Sequence, residues 1–252
     1  MNMAILKYFK VIFIINILLF TSLFLSSCSK EESKPDFKSI QSISERKSTF
    51  IDFMLPLIHS VQQDVLSDRK TLHNIQTKYN QRHTLSNHNI KTLKKLSKQY
   101  RVTFDTKTLK STINQLLVKV NTIPTSMVLA QAALESGWGT SRFAIYGNNY
   151  FGQHCFIAGC GMVPKKRAEG KINEVEVFDS AKDSVKAYFR LLNTGSKFSQ
   201  FRQLRANLVK DNQPLTGKEL IKTLVHYSEL DNGEYEKRLL LTINYNNLYE
   251  FG

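Results

Sequence analysis

Seven of the chain's eleven glycines fall between Gly137 and Gly170. Glycine enters left-handed backbone without steric cost, and it weakens helices and strands. This stretch therefore consists of turns and close backbone approaches, and the rest of the chain is free to be regular. The segment just before it has the opposite character. Met127, Val128, Leu129, Ala130, Ala132, Ala133 and Leu134 are apolar around nearly a full helical turn. Pro124 suits the first turn of that helix and Gly137 suits its end. A helix apolar on every side is a buried one, and its alanines let neighbours approach closely. A buried helix opening into an irregular loop is the centre around which the chain must fold.

On either side the pattern is mostly helical. From about residue 37 to 120, Phe50, Met54, Leu57, Ile58, Val61 and Val65 share one helix face, which Leu72, Ile75 and Tyr79 continue. A polar break at 80–89 precedes a second face, Ile90, Leu93, Leu96 and Tyr100. Leu109, Ile113, Leu116, Leu117 and Val120 make a third. Beyond the buried helix, Val163–Arg167 and Ile172–Phe178 are expected as two short strands joined by a turn at Ala168–Lys171. Ser180 with Asp183, and Thr216 with Glu219, are N-cap pairs for two further helices. Leu204 and Leu208 mark another helix, and Glu234 to Asn247 a last one. The expected class is α+β, mostly helical, with a small β-hairpin.

The first 27 residues read as an export signal. Lys7 and Lys10 precede an apolar run from Val11 to Leu25, 15 residues long, whereas a membrane span needs about 20. Leu25-Ser26-Ser27-Cys28 resembles the lipobox of bacterial lipoproteins, with Cys28 as the lipidated new N-terminus. The alternative is an uncleaved signal anchor. Ser29 stands where an inner-membrane retention signal would have Asp, which favours the outer membrane, facing the periplasm. Residues 28–49 read as a polar tether, 50–119 as a helical region and 120–252 as the main domain. Lipidation at Cys28 leaves Cys155 and Cys160 as a pair outside the cytosol, expected to form a disulfide eased by Gly159. A metal site from His154 and two thiolates lacks a fourth ligand nearby. The six histidines are scattered without a His-x-x-x-His pair, so no metal or cofactor is expected.

The chain carries a net charge of +14, and +12 once Lys7 and Lys10 are removed with the signal. For an exported protein this points to an anionic wall and membrane surface and away from nucleic acid. Lys91, Lys94, Lys95 and Lys98 run along one helix, as a solvated face or as a contact with anionic polymer.

Glu135 closes the buried helix. The negative end of the helix dipole and an apolar surrounding both favour its protonated form. A carboxyl group kept protonated in a cleft is what glycoside cleavage requires of a general acid. On these grounds alone a surface glutamate at a helix end is an equal reading. The wider string is more specific. Leu129-Ala130-Gln131-Ala132-Ala133-Leu134-Glu135-Ser136-Gly137-Trp138-Gly139-Thr140-Ser141-Arg142-Phe143-Ala144, continued by Gly147-Asn148-Asn149-Tyr150-Phe151-Gly152-Gln153, resembles the Bax-type proteins of bacteria. These are relatives of the flagellar and autolysin glucosaminidases of glycoside hydrolase family 73. The resemblance is specific over 120–194 and thinner over 37–119 and 195–252.

The resemblance implies a lysozyme-like domain that cleaves N-acetylglucosaminyl (GlcNAc) bonds in peptidoglycan, with Glu135 as the acid. Val163-Pro164-Lys165-Lys166-Arg167 carries no acid, which departs from the flagellar enzymes. Glu174 is the match for a second carboxylate, ahead of Glu169 and Glu176. The substrate's own acetamido group is the alternative. Strand alternation puts Glu174 and Glu176 on one face and Val175 and Val177 on the other. Tyr227, in His226-Tyr227-Ser228-Glu229, resembles the family's active-site tyrosine, and Tyr235 is a second wall. Trp138, Asn148, Asn149 and Gln153 are substrate-binding candidates. Trp138 also suits packing at the helix end, and the two asparagines suit left-handed turn positions. The rival functions are a lytic transglycosylase, which would use the same lone glutamate, and a non-catalytic wall-binding lipoprotein.

Overall fold

A computed structural model describes residues 33–165, 167, 170–228 and 233–252. The expected signal segment, Cys28, and the acids Glu169 and Glu229 lie outside the described residues. The chain from Pro35 to Gly252 forms one unit. Its helices are α1 (Ile43–Arg82), α2 (Asn87–Gln99), α3 (Leu109–Lys119), α4 (Thr125–Ser136), α5 (Arg142–Gly147), α6 (Ala181–Thr194), α7 (Ser199–Lys210), α8 (Gly217–Ile221) and α9 (Glu234–Tyr245). Three short strands lie between α5 and α6: β1 (His154–Cys155), β2 (Gly161–Met162) and β3 (Glu174–Glu176). The fold is mostly helical α+β, with β1 and β2 inside the glycine-rich segment and β3 just after it.

Helix α4 is the buried centre. Met127, Val128, Leu129, Ala130, Ala132 and Ala133 are all enclosed, packed by α1, α6 and α9. Helix α1 is the spine. Phe50, Met54, Ile58 and Val61 join the core around α4, and Leu72 and Ile75 join a second core with α2 and α3. The apolar face of α1 runs through both, so residue 120 is not a structural boundary between a helical lead-in and a catalytic domain. The boundary expected at residue 50 also moves. The helix begins at Ile43, capped by Ser42, and Phe37 is buried within the expected tether.

The buried ring of Phe37 meets Phe50 and Phe53 edge-on, with centroids 5.5 and 5.6 Å away. It also lies over Gly139, whose φ is +79°, and a Cβ there would stand 2.4 Å from Cδ2 of Phe37. Gly139→Ala is expected to cost about 1–3 kcal/mol through left-handed strain and displacement of the ring. A lower urea midpoint with an unchanged m-value would show it.

The sheet differs from the expected hairpin. β3 is central, and β1 and β2 pair with it antiparallel on either side, in the order β1-β3-β2. Val163–Arg167 forms no strand among its described residues. Its place is taken by Gly161–Met162, where Gly161 faces Glu176 and Met162 faces Val175. The run Pro164-Lys165 follows the pairing instead of joining it, because proline offers no N–H to a ladder.

Candidate active site

The end of α4 is tied down by local bonds. Gly137 and Trp138 both take left-handed backbone, with φ of 57° and 56°, and both amides donate to the Ala133 carbonyl. The Ser136 hydroxyl donates to Ala132 O at 2.6 Å and accepts from the Gly139 amide at 2.9 Å. Left-handed geometry is uncommon for a residue with a side chain. Trp138 holds it by laying its ring against Phe50, at 5.6 Å and nearly perpendicular, with Lys47 Nζ 5.1 Å above it. Of its two expected roles, the structure places Trp138 in helix-end packing.

This cap fixes Glu135 in a pocket of tyrosines. Tyr235 Oη donates to Glu135 Oε1 at 2.7 Å. Gln131 Nε2 donates to Tyr235 Oη at 2.9 Å, and Tyr188 donates to Gln131 Oε1. The order is fixed by chemistry. A hydroxyl has one proton, and Tyr235, receiving the Gln131 amide hydrogen, directs its own at the carboxylate. Tyr188 in turn orients the amide. Tyr227 stacks on Tyr235, with centroids 5.7 Å apart and planes at 9°, and donates to the Phe151 carbonyl at 3.0 Å. Tyr227 thus reaches the acid through Tyr235. On the other side Gly152 comes so near that a Cβ would lie 3.5 Å from Glu135 Oε2.

Glu135 makes none of the ion pairs found among the described residues. Burial raises its pKa above the usual carboxylate value of 4.5, and the Tyr235 hydrogen bond pulls weakly the other way. Burial also raises Tyr188, Tyr227 and Tyr235, and the Glu135 charge adds to it, so these hydroxyls stay protonated. Gln131 was not legible as part of the site. The available signal was a polar residue inside an otherwise apolar helix, one turn before the acid.

An open groove of about 450 Å³ runs beside this pocket, with Gly152, Tyr227, Glu176 and Arg190 among its lining residues. Glu176 is half-buried, and its pKa is raised by burial and lowered by Arg190. Glu174 is placed differently from the expectation. It is buried, and its oxygens accept the Gly159 and Gly161 amides at 3.0 and 2.8 Å. Those bonds hold its pKa below the usual range. Alternation along β3 was the guide to one shared face. The loop between β1 and β2 folds back over Glu174 and binds its carboxylate, so it is buried while Glu176 is half-exposed.

The amide candidates are likewise engaged inside the protein. Asn149 donates to Gln153 O and Glu176 O and accepts from the Phe151 and Gln153 amides. Gln153 donates to Ser184 O and accepts from its hydroxyl. Asn148, left-handed at φ 48°, donates to Phe178 O and Asp179 O. All three shape the loop that brings Gly152 to Glu135, and Gln153 also lines the groove. Cys155 and Cys160 are joined in a disulfide, their Cα atoms 6.2 Å apart, so their sulfurs are not a pair of thiolates.

Comparison with known proteins adds to this geometry. A family model for glucosaminidase, described as mannosyl-glycoprotein endo-beta-N-acetylglucosaminidase, matches residues 110–248. Protein bax of Escherichia coli (strain K12) is 37% identical over 200 residues, covering 79% of this chain and 70% of that protein. No solved structure matches the chain significantly.

Proposed function

Because the chain belongs to the glucosaminidase family, we propose that it is an endo-β-N-acetylglucosaminidase that hydrolyses GlcNAc linkages in peptidoglycan, with Glu135 as general acid. One observation carries the reading. Glu135 is a half-buried carboxyl group that makes no ion pair among the described residues, held by one tyrosine hydroxyl beside an open groove. Burial raises the pKa of this group, which favours the protonated form that can pass a proton to a glycosidic oxygen. Glu176, which faces the same groove, is the better placed second carboxylate, able to orient water or face the cationic transition state. Tyr227 and Tyr235 form the wall behind the acid.

Export and lipid attachment at Cys28 belong to the same proposal and would keep the enzyme on the envelope, at the outer membrane facing the periplasm. Incorporation of labelled palmitate into the wild type and its loss in Cys28→Ala would support the anchor. Mass spectrometry of digested sacculi tests the activity. Reducing-end GlcNAc is the expected product. Anhydro-muramyl ends would make the protein a lytic transglycosylase, and undigested sacculi would make it a binding protein.

The Tyr235 contact gives a pH prediction. Its hydrogen bond favours the carboxylate, so Tyr235→Phe removes the one hydrogen bond that lowers the Glu135 pKa. The acid then stays protonated to higher pH, and the basic limb of the kcat/KM profile moves up. A limb that stays in place or moves down would contradict the assignment.

A further inference from the structure

We propose that the loop closed by Cys155 and Cys160 is a rigid lip that offers Phe156 to the groove as a stacking surface for a sugar ring, and that Glu174 is the positioning residue that locks the lip. The proposal rests on the glycan-hydrolase reading above. Phe156 is 67% exposed and Ile157 beside it 76%. A single exposed apolar side chain is ordinary. This one is distinguished by its place, because it lines the groove together with Gly152 and Tyr227, the residues next to the acid and its tyrosine wall.

The lip is braced in three independent ways. The disulfide closes it. Its two flanking strands, β1 and β2, both pair with β3. Glu174, from β3, accepts the amides of Gly159 and Gly161. At Gly161 the loop presses so closely on β3 that a Cβ would stand 2.1 Å from the Val175 carbonyl oxygen. A disulfide, two strand pairings, two amide–carboxylate hydrogen bonds and a close approach are a large outlay for a surface loop with an apolar tip. The physical return is a pre-ordered aromatic face, since a side chain already fixed loses little freedom when it binds. The ligand chemistry that fits is the apolar face of a pyranose ring in a β-linked N-acetylhexosamine chain. This also accounts for Glu174: a carboxylate with both oxygens on backbone amides acts through the loop it holds.

The test is calorimetric titration of a soluble GlcNAc oligomer into the full chain carrying Glu135→Gln, which prevents turnover, with KM and kcat measured in the Glu135 background. Phe156→Ala is expected to weaken binding about 2- to 10-fold, the range for an aromatic contact, to raise KM to match and to leave kcat and the thermal midpoint unchanged. Phe156→Trp restores affinity. Glu174→Ala, or Cys155→Ser with Cys160→Ser if that variant folds poorly, weakens binding to a similar degree. Adding Phe156→Ala to either weakens it no further. Unchanged affinity in Phe156→Ala, with an enzyme that still cleaves sacculi, overturns the lip and leaves the hydrolase reading intact. A fall in kcat at constant KM in Glu174→Ala, with an altered pH profile, overturns the lock and makes Glu174 catalytic. A parent that binds the oligomer without cleaving sacculi overturns the hydrolase reading, and the lip then stands on the titration. No binding by the parent overturns the lip, and digestion of sacculi decides the hydrolase reading separately.

Discussion

Glu135→Gln is expected to lower hydrolysis of sacculi by about 10²- to 10⁴-fold, the usual contribution of a positioned general acid. The glutamine keeps the shape and can still accept the Tyr235 hydroxyl, but it has no proton to give at any working pH. The same substitution has an opposite effect on stability. Burial raises the folded-state pKa of Glu135 above the ordinary 4.5. As pH rises through and beyond that value, the unfolded chain releases this proton before the folded one does, so the folded state loses stability until its own pKa is passed. Glutamine removes this loss. Glu135→Gln should therefore unfold at the same or a higher temperature than wild type at neutral pH, with the difference fading as the pH falls below about 4.5. Thermal melts across about pH 4–8 measure it. A variant that keeps its activity removes Glu135 from catalysis, and one that melts lower at neutral pH contradicts the half-buried, unpaired carboxyl group.

Arg205→Met is expected to cost about 3–5 kcal/mol, the range for breaking a buried charged network, with a fall in melting temperature on the order of 10 °C. Arg205 is fully buried on α7. Its Nη1 donates to Asn121 O, Thr122 O and Asn193 Oδ1, and its Nη2 to Val118 O and Lys119 O. Val118 O and Lys119 O lie in the last turn of α3, with Asn121 O and Thr122 O just beyond it, where the helix's final C=O groups lack helical partners and the dipole is negative. Arg69 serves the same end through Leu117 O and Val120 O. Arg202 does so for α6, through Leu192 O and Gly195 O. Methionine fills the space and leaves the carbonyls at the end of α3 unpaired. Lysine keeps the charge but lacks the planar fork that reaches several acceptors together. Arg205→Lys should therefore also melt well below wild type. A change within about 1 °C for both would show that the network contributes little. Part of the chain's positive charge thus serves helix ends inside the fold.

The helices were largely legible, because their apolar faces recur at the helical period and several of their ends carry cap residues, Ser180, Thr216 and Gly137. The strands were not, since two or three residues are too few to show alternation and their pairing is set by a disulfide loop. The extent of the domain was misplaced for a similar reason. A polar stretch with one phenylalanine reads as a tether, and only the gap over Gly139 shows where Phe37 goes.

At the site, the sequence by itself determined the helix end that carries Glu135: an apolar helix, a terminal glutamate and a glycine that must turn left-handed are all local properties. Only the tertiary structure decided what surrounds that acid. Tyr235, 100 residues away, meets it, Gln131 and Tyr188 orient Tyr235, and Glu174 goes to the lip while Glu176 faces the groove. Hydrogen-bond partners are chosen by distance in space, and a residue's type at its position carries no record of what the fold brings beside it.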